Sequence, residues 1–503
     1  MRFFWYTFFI TLFFCSCNIP LESPTLLRNF SAPASSDEVI AFAHIAAQRS
    51  DHISLEVIGQ SEKGVDILAL RAGESTTTKP VRLLLFAQQH GNEQSGKEAL
   101  LLLLRDLASG HYDSWLHTME IWVVPQVNPD GADINERRNA SGIDLNRDHV
   151  LKNAPETRAL HDLFHRVKPH ITVDIHEYQP FRSSWKEFGG YKNFDVQVGV
   201  TTNLNVDEKL RHFSLSEILP AIENHLNSKG FSFHNYLVGP VPNRGRTRHS
   251  TVDIDDGRQS FGILNTLSII YEGINGPDGF VENLERRTYG QYEALKALLL
   301  FVHQNSSHTK NLVESARKKL THSQPGEKVA IRMEHFPDGI QLVLPLTSSK
   351  TGMDTLVLIE NYHPDIRALL ETERPLAYLV PQNDSLLVSF LDLHRIEYYT
   401  DYELNKHSIQ SYHIQEIRLS EDEELENRLP QLDIQTLQKV HLADSYLYVP
   451  TNQLHANFLV SVFEPQSMLG LAQRDGFQYL LQKGKVFPIL RVNNSESDSP
   501  RQY

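Results

Sequence analysis

His90 and Glu93 lie three residues apart, just after the apolar run 83–87. They offer the atom types zinc prefers, an imidazole nitrogen and a carboxylate oxygen. A turn at the end of a buried strand can aim both side chains at one point, so the pair reads as two ligands of a catalytic zinc. Spacing alone is weak support. His-x-x-Glu recurs at His117/Glu120, His394/Glu397 and His413/Glu416, in stretches that read as extended, where residues three apart face opposite ways. The first copy differs in the stretches that accompany it. Asp174-Ile175-His176-Glu177-Tyr178 closes a second apolar run with a third candidate ligand, His176. Tyr271-Glu272-Gly273 closes another with a glutamate, and the loop 137–147 is dense in hydrogen-bond donors with little apolar material to bury. Asp174 and Glu177 read as structural, because strand-end carboxylates commonly cap backbone groups or face water.

These groups need a scaffold that brings strand ends together. Apolar runs at 83–87, 121–124, 171–175 and 267–271 alternate with helical patterns ending near 108, opening at Pro155 and covering about 210–227 and 283–303. Ser35-Ser36-Asp37-Glu38 is a capping-box pattern for a helix to about 49. The alternation predicts an α/β fold, a mixed, largely parallel sheet with helices on both faces. Such sheets bind ligands at the carboxyl ends of their strands, where the candidate residues fall. Beyond 305 the composition changes. Alternating stretches at 328–333, 339–344, 355–359, 386–390 and 408–417 predict a separate β-rich domain over 320–495, of sandwich type, with 496–503 as a tail. The unit carrying the candidate site is expected over 35–305.

The formal charge of -14 over 503 residues, with no basic run, speaks against nucleic-acid binding. Arg2 followed by the apolar run 3–14 reads as a signal peptide over 1–16. Phe14-Cys15-Ser16-Cys17 resembles a bacterial lipoprotein box, with Cys17 as the lipidated residue and 18–34 as its tether; ordinary signal-peptide cleavage is the alternative. The expectation is an exported protein, periplasmic or outer-membrane-anchored in a bacterium, touching membrane only through that lipid. Cys15 and Cys17 are the only cysteines, so no disulfide framework is expected.

Taken in order, His90-Gly91-Asn92-Glu93, Asp144-Leu145-Asn146-Arg147, His176 and Glu272 resemble the zinc carboxypeptidases of the carboxypeptidase A and D family, over roughly 35–303. The resemblance implies one zinc ion per chain, held by His90, Glu93 and His176, with a fourth position for water. It implies Glu272 as general base and Arg137 as the donor to the scissile carbonyl, with the adjacent Arg138 not excluded by spacing. Asn146 and Arg147 match the pair that holds a substrate's terminal carboxylate, Asp144 a carboxylate that orients His90, and Tyr178 a tyrosine of the substrate groove. The implied activity is removal of C-terminal residues from peptides with a free carboxylate. Amide hydrolysis on cell-wall peptides or acyl amino acids, or non-catalytic binding on the same scaffold, are the competing readings. Two departures stand out. The family's mobile tyrosine, expected about twenty residues before the base, is absent from 244–260, where His249 is nearest. Arg258, near the family's specificity position, suggests a preference for acidic C-terminal residues.

Overall fold

In the computed structural model the apolar runs pair into one eight-stranded sheet. Its strands are β1 (Ile53–Gln60), β2 (Asp66–Ala72), β3 (Val81–Ala87), β4 (Met119–Val124), β5 (Ile171–Tyr178), β6 (Val196–Val200), β7 (Phe233–Asn235) and β8 (Leu267–Ile274), in the order β1-β2-β4-β3-β5-β8-β6-β7. Pairing is parallel between β4 and β3, β3 and β5, β5 and β8, and β6 and β7. The other neighbours are antiparallel. The structure describes residues 21–74, 80–241, 244–404, 407–419, 428–437 and 445–494. The expected signal segment, Cys17 and the tail 496–503 lie outside them.

Alternation along the strands divides the core. Leu83, Leu85 and Ala87 of β3 join one apolar cluster with α1 (Ser36–Arg49), α2 (Gln94–Ala108) and the later helix Leu284–Gln304. Leu84 and Phe86 face the other way. They pack with α3 (Pro155–Val167), with Phe261 of α4 (Gly257–Gly262), and with much of the C-terminal half. Each fully buried Leu or Phe contributes about 1.5–3 kcal/mol, which makes this two-sided burial the main force holding the central strands. The capping box forms as expected: Ser35 accepts from the Glu38 N–H, and Glu38 in turn accepts from the Ser35 N–H. With Leu284–Gln304 as α5, the chain continues into α6 (Ser306–Thr321), whose Val313 and Ala316 join the first cluster.

The C-terminal half is β-rich, as expected, but its plan differs from a two-sheet sandwich. β9 (Ala377–Pro381), β10 (His407–Leu419), β11 (Arg428–Leu437), β12 (Tyr446–Pro450) and β13 (Leu490–Asn494) form an antiparallel sheet in the order β11-β10-β13-β9-β12. Tyr378, Val380, Tyr412 and Val449 on one face pack with α7 (Ser385–Leu393) and α8 (Ala456–Phe463), in the same cluster as α3. The two halves thus share a continuous core. The stretch 386–390, expected as a strand, is part of α7. Asp384 caps it by accepting from the Leu386 and Leu387 N–H groups, and Leu387, Phe390 and Leu391 fall on one helical face.

Candidate metal centre and active-site cavity

β3 leaves the sheet through Gln88, whose φ of 60° is left-handed, and the turn is tied by Gln88 Nε2 donating to the Gly91 carbonyl at 3.0 Å and to Gln94 at 2.9 Å. Gly91 is required here. A Cβ on it would stand 2.1 Å from the Gly131 carbonyl carbon and 2.4 Å from the Ala132 nitrogen, both backbone atoms that cannot swing aside. Gly91→Ala should therefore displace the turn that carries His90 and Glu93. We expect a loss of about 2–3 kcal/mol in denaturant unfolding together with reduced zinc content, whereas overpacking elsewhere in the core would lower stability alone.

β5 and β8 run parallel in a register that sets Glu272 beside His176. Both residues lie inside their strands, which extend past the apolar runs. On β5 the alternation turns Val173 and Ile175 to the helices α2 and α5, and Thr172, Asp174 and His176 to the opposite face. Beside them on β8, Ser268 and Glu272 occupy the same face, with Thr172 and Ser268 hydroxyls 2.5 Å apart.

His90, Glu93 and His176 converge: one ligand atom from each lies within 4.8 Å of the others. The two Nδ1 atoms face each other at 3.1 Å, and each is 2.8 Å from a different Glu93 oxygen. The outer nitrogens are backed by carboxylates. His90 Nε2 is 3.0 Å from Asp144 Oδ1 and His176 Nε2 is 2.8 Å from Asp174 Oδ1, the latter contact off the line of a good hydrogen bond. Carboxylates on the outer nitrogens leave the inner lone pairs facing one point, where two acceptors and a carboxylate need a positive centre between them. This donor set, with its backing carboxylates, fits zinc. Burial alone would raise the Glu93 carboxyl, but the His90 and His176 rings outweigh it and hold it well below the usual range.

Asp144 organises the donor loop. It accepts from Arg137 Nε at 2.9 Å and caps the short 3-10 turn Leu145–Arg147 through the Asn146 N–H. Arg137 Nη1 thereby reaches to 3.2 Å from His90 Nδ1, at the edge of the ligand cluster. Arg138 turns away and donates to the Gly142 carbonyl. Asn146 Oδ1 accepts from the Gly257 N–H at 2.7 Å and lies 3.4 Å from Gln89 Nε2, so the amide nitrogen is what Asn146 presents to the cavity.

That cavity, about 480 Å³, is lined by His90, Glu93, Arg137, Asn146, Arg147, Tyr178 and Glu272 among others. Tyr178 is fixed by donating its hydroxyl to the Phe194 carbonyl at 2.6 Å. Burial pushes the Glu272 carboxyl up to about 7, with the two histidines and a hydrogen bond from Tyr236 working the other way.

One expectation is corrected. Arg258 is fully buried and off the cavity wall: its guanidinium donates to Thr251 and Asp256 and lies 5.5 Å over the ring of Tyr236, which does line the cavity. His249 does not take the tyrosine's place. It sits on a short strand, Thr247–His249, that pairs with Leu237–Val238, and its carbonyl accepts from His335. The tyrosine facing Glu272 is Tyr236, which precedes the stretch 244–260.

Three further residues were missed or read as structural. Asp174 backs His176, whereas Glu177 is structural as expected, paired through both oxygens with buried Arg287 at 2.9 and 3.0 Å. Gln89 donates to both Asp174 oxygens at 2.9 Å and accepts from His149 Nε2 at 2.8 Å. Burial pushes His149 down to about 3, so it is neutral and donates from one nitrogen only, which fixes the Gln89 amide.

Residues 40–186 match the family model described as "Zinc carboxypeptidase". Among curated relatives, the "Carboxypeptidase 2" of Trichophyton tonsurans is 28% identical over 352 residues, covering 66% of this chain and 63% of that protein's length. The "Probable carboxypeptidase 2" of Arthroderma benhamiae is 26% identical over 411 residues, 74% of each chain. Among solved structures, a metallo-carboxypeptidase from Burkholderia cenocepacia is 20% identical, covering 54% of this chain and 70% of its own, with a TM-score of 0.43. For carboxypeptidase A from Helicoverpa armigera the values are 16%, 55%, 75% and 0.41. The expected placement in a bacterial periplasm or outer membrane is overturned by the curated relatives: those matched over the longest stretches are fungal proteins, from Trichophyton and Arthroderma. The matched residues begin in α1 and run past β5, taking in His90, Glu93 and His176, and over this stretch the chain is similar to the zinc carboxypeptidases.

Proposed function

We propose that this chain is a carboxypeptidase that hydrolyses the last peptide bond of peptides with a free terminal carboxylate, using one zinc ion held by His90, Glu93 and His176. A zinc ion there supplies Lewis acidity, making water acidic enough to yield a nucleophile near neutral pH. Glu272 takes the proton from the attacking water and delivers it to the leaving amine. Arg137 donates to the scissile carbonyl oxygen as negative charge develops on it, and Asp144 holds the guanidinium in place for that contact. Arg147 and the Asn146 amide bind the terminal carboxylate, which fixes the bond to be cut one residue from the chain end.

The observation that carries this reading is the cavity itself, where Asn146 and Arg147, the Glu272 carboxyl with its raised pKa, and His90 and Glu93 of the His90–Glu93–His176 cluster face one space. The test is metal removal. The purified chain should contain close to one zinc per molecule, lose peptide hydrolysis on dialysis against a chelator and regain it with added zinc. Hydrolysis that persists in metal-free protein would sink the zinc mechanism.

A further inference from the structure

Lys192 lines the same cavity yet has no part in the chemistry above. It ends a short strand, Gly190–Lys192, whose partner is the strand Leu342–Ser348 of the C-terminal half, with Lys192 opposite Leu346. Trp185, Phe194 and Leu237 back this strand in an apolar cluster completed by Leu344, Leu346 and Ile359, so residues of both halves hold the lysine's backbone. Its Nζ donates to the Leu237 carbonyl at 3.0 Å and stands 5.6 Å over the rings of both Tyr178 and Trp185. An ammonium has three N–H donors. One carbonyl takes one of them, and aromatic faces attract the charge without occupying a donor in a directed bond. Burial pulls its pKa down to about 8, with Glu272 working the other way, so the group is still mainly charged at neutral pH and only thinly hydrated.

The other cations have different duties. Arg137 is paired with Asp144, Arg147 belongs to the clamp, Arg258 is covered by Tyr236, and Arg182, which also lines the cavity, sits on the exposed turn before the helix Ser183–Phe188 and so is well hydrated and less fixed than Lys192. A chain of net charge -14 repels acidic peptides over its surface, so accepting one takes a cation fixed inside the site. We propose that Lys192 is the specificity residue that receives an aspartate or glutamate side chain from one of the last two residues of the peptide, held in place by the C-terminal half. This rests on the carboxypeptidase reading.

The test uses the full zinc-loaded chain and peptides identical except for Glu, Gln or Lys at the last or the penultimate position. The wild type should favour Glu over Gln in kcat/KM by at least about tenfold at one of the two positions, the worth of one hydrogen bond between charged partners. Lys192→Met should bring that ratio close to one, Lys192→Arg should keep most of it, and Lys192→Glu should reverse it toward the Lys peptide. A lysine that only props up the Leu237 loop would change all peptides alike and leave the ratio standing. That result, or a wild-type ratio near one at both positions while the Gln peptide is cleaved, overturns the proposal. A ratio that collapses in Arg258→Met and survives in Lys192→Met overturns it too. A zinc-loaded wild type that cleaves none of the peptides overturns the carboxypeptidase reading itself. Circular dichroism and zinc content establish that each variant is folded, and Lys192→Gln replaces any Met variant that is not.

Discussion

Glu272→Gln is expected to lower kcat for peptide hydrolysis by about 10³–10⁴-fold, roughly 4–5.5 kcal/mol of barrier, while zinc content and fold are unchanged. Glutamine has the shape of glutamate, so the packing beside Tyr236 and His176 survives, but it has no basic oxygen to accept the proton of water. The metal cluster does not include position 272, so occupancy should not change. The pH profile provides a second readout. A general base works only when ionised, so kcat/KM falls as pH drops through its pKa. Burial raises Glu272 to about 7. A divalent cation in the adjacent cluster favours the carboxylate and moves that value down, so the acidic limb should lie below 7 in the wild type and be absent from any residual activity of the variant. Turnover retained in a zinc-replete Glu272→Gln protein would falsify the assignment of the base.

The residues of the candidate metal cluster could be read from the chain because His90 and Glu93 follow β3 and His176 follows the apolar run 171–175 of β5, and the parallel register of β3, β5 and β8 does the rest. Asp174 could have been read as well. Residues two apart on a strand share a face, so Asp174 necessarily points the same way as His176, and Glu177 the other way. The general tendency of strand-end carboxylates to cap hid this simple geometry. The cleft side of the sheet shows the same alternation, with Thr172, Asp174 and His176 on β5 beside Ser268 and Glu272 on β8, interleaved with apolar residues that make the strands look uniformly buried. Gln89 and Tyr236 were not legible. Gln89 acts through partners 57 to 85 positions away in the chain, and Tyr236 reaches the cavity only because Leu237–Val238 pairs with Thr247–His249. Helix α7 was misread because 386–390 is apolar at nearly every position, so no period decides between helix and strand, and the cap at Asp384 was the remaining signal. The role of the C-terminal half is invisible in its own residues, which carry no motif. It emerges at the contact between Leu346 and Lys192.

In the proposed mechanism Arg147 decides whether this site cuts chain ends or amides in general. Its side chain faces the cavity beside the Asn146 amide, on a turn that Asp144 ties to the metal ligand His90. Asp144 thus links this turn directly to His90, and Gln89 links Asn146 to Asp174 behind His176. A guanidinium pairs with a carboxylate through two parallel hydrogen bonds, and removing one partner of such a desolvated pair costs about 2–5 kcal/mol. Arg147→Met should accordingly lower kcat/KM by about 10²–10³-fold on a peptide with a free C-terminus, chiefly through KM, because the contact is made in the ground state as well as the transition state. The C-terminally amidated peptide never made the ion pair, so its slow cleavage should change much less, and the ratio of the two rates should fall toward one. Arg147→Lys should recover part of the loss, since a point charge replaces the fork without its geometry. A variant that slows both peptides equally would give Arg147 a role in holding the turn. Equal wild-type rates on the two peptides would remove the clamp from the mechanism and favour amide hydrolysis on other acyl groups at the same metal.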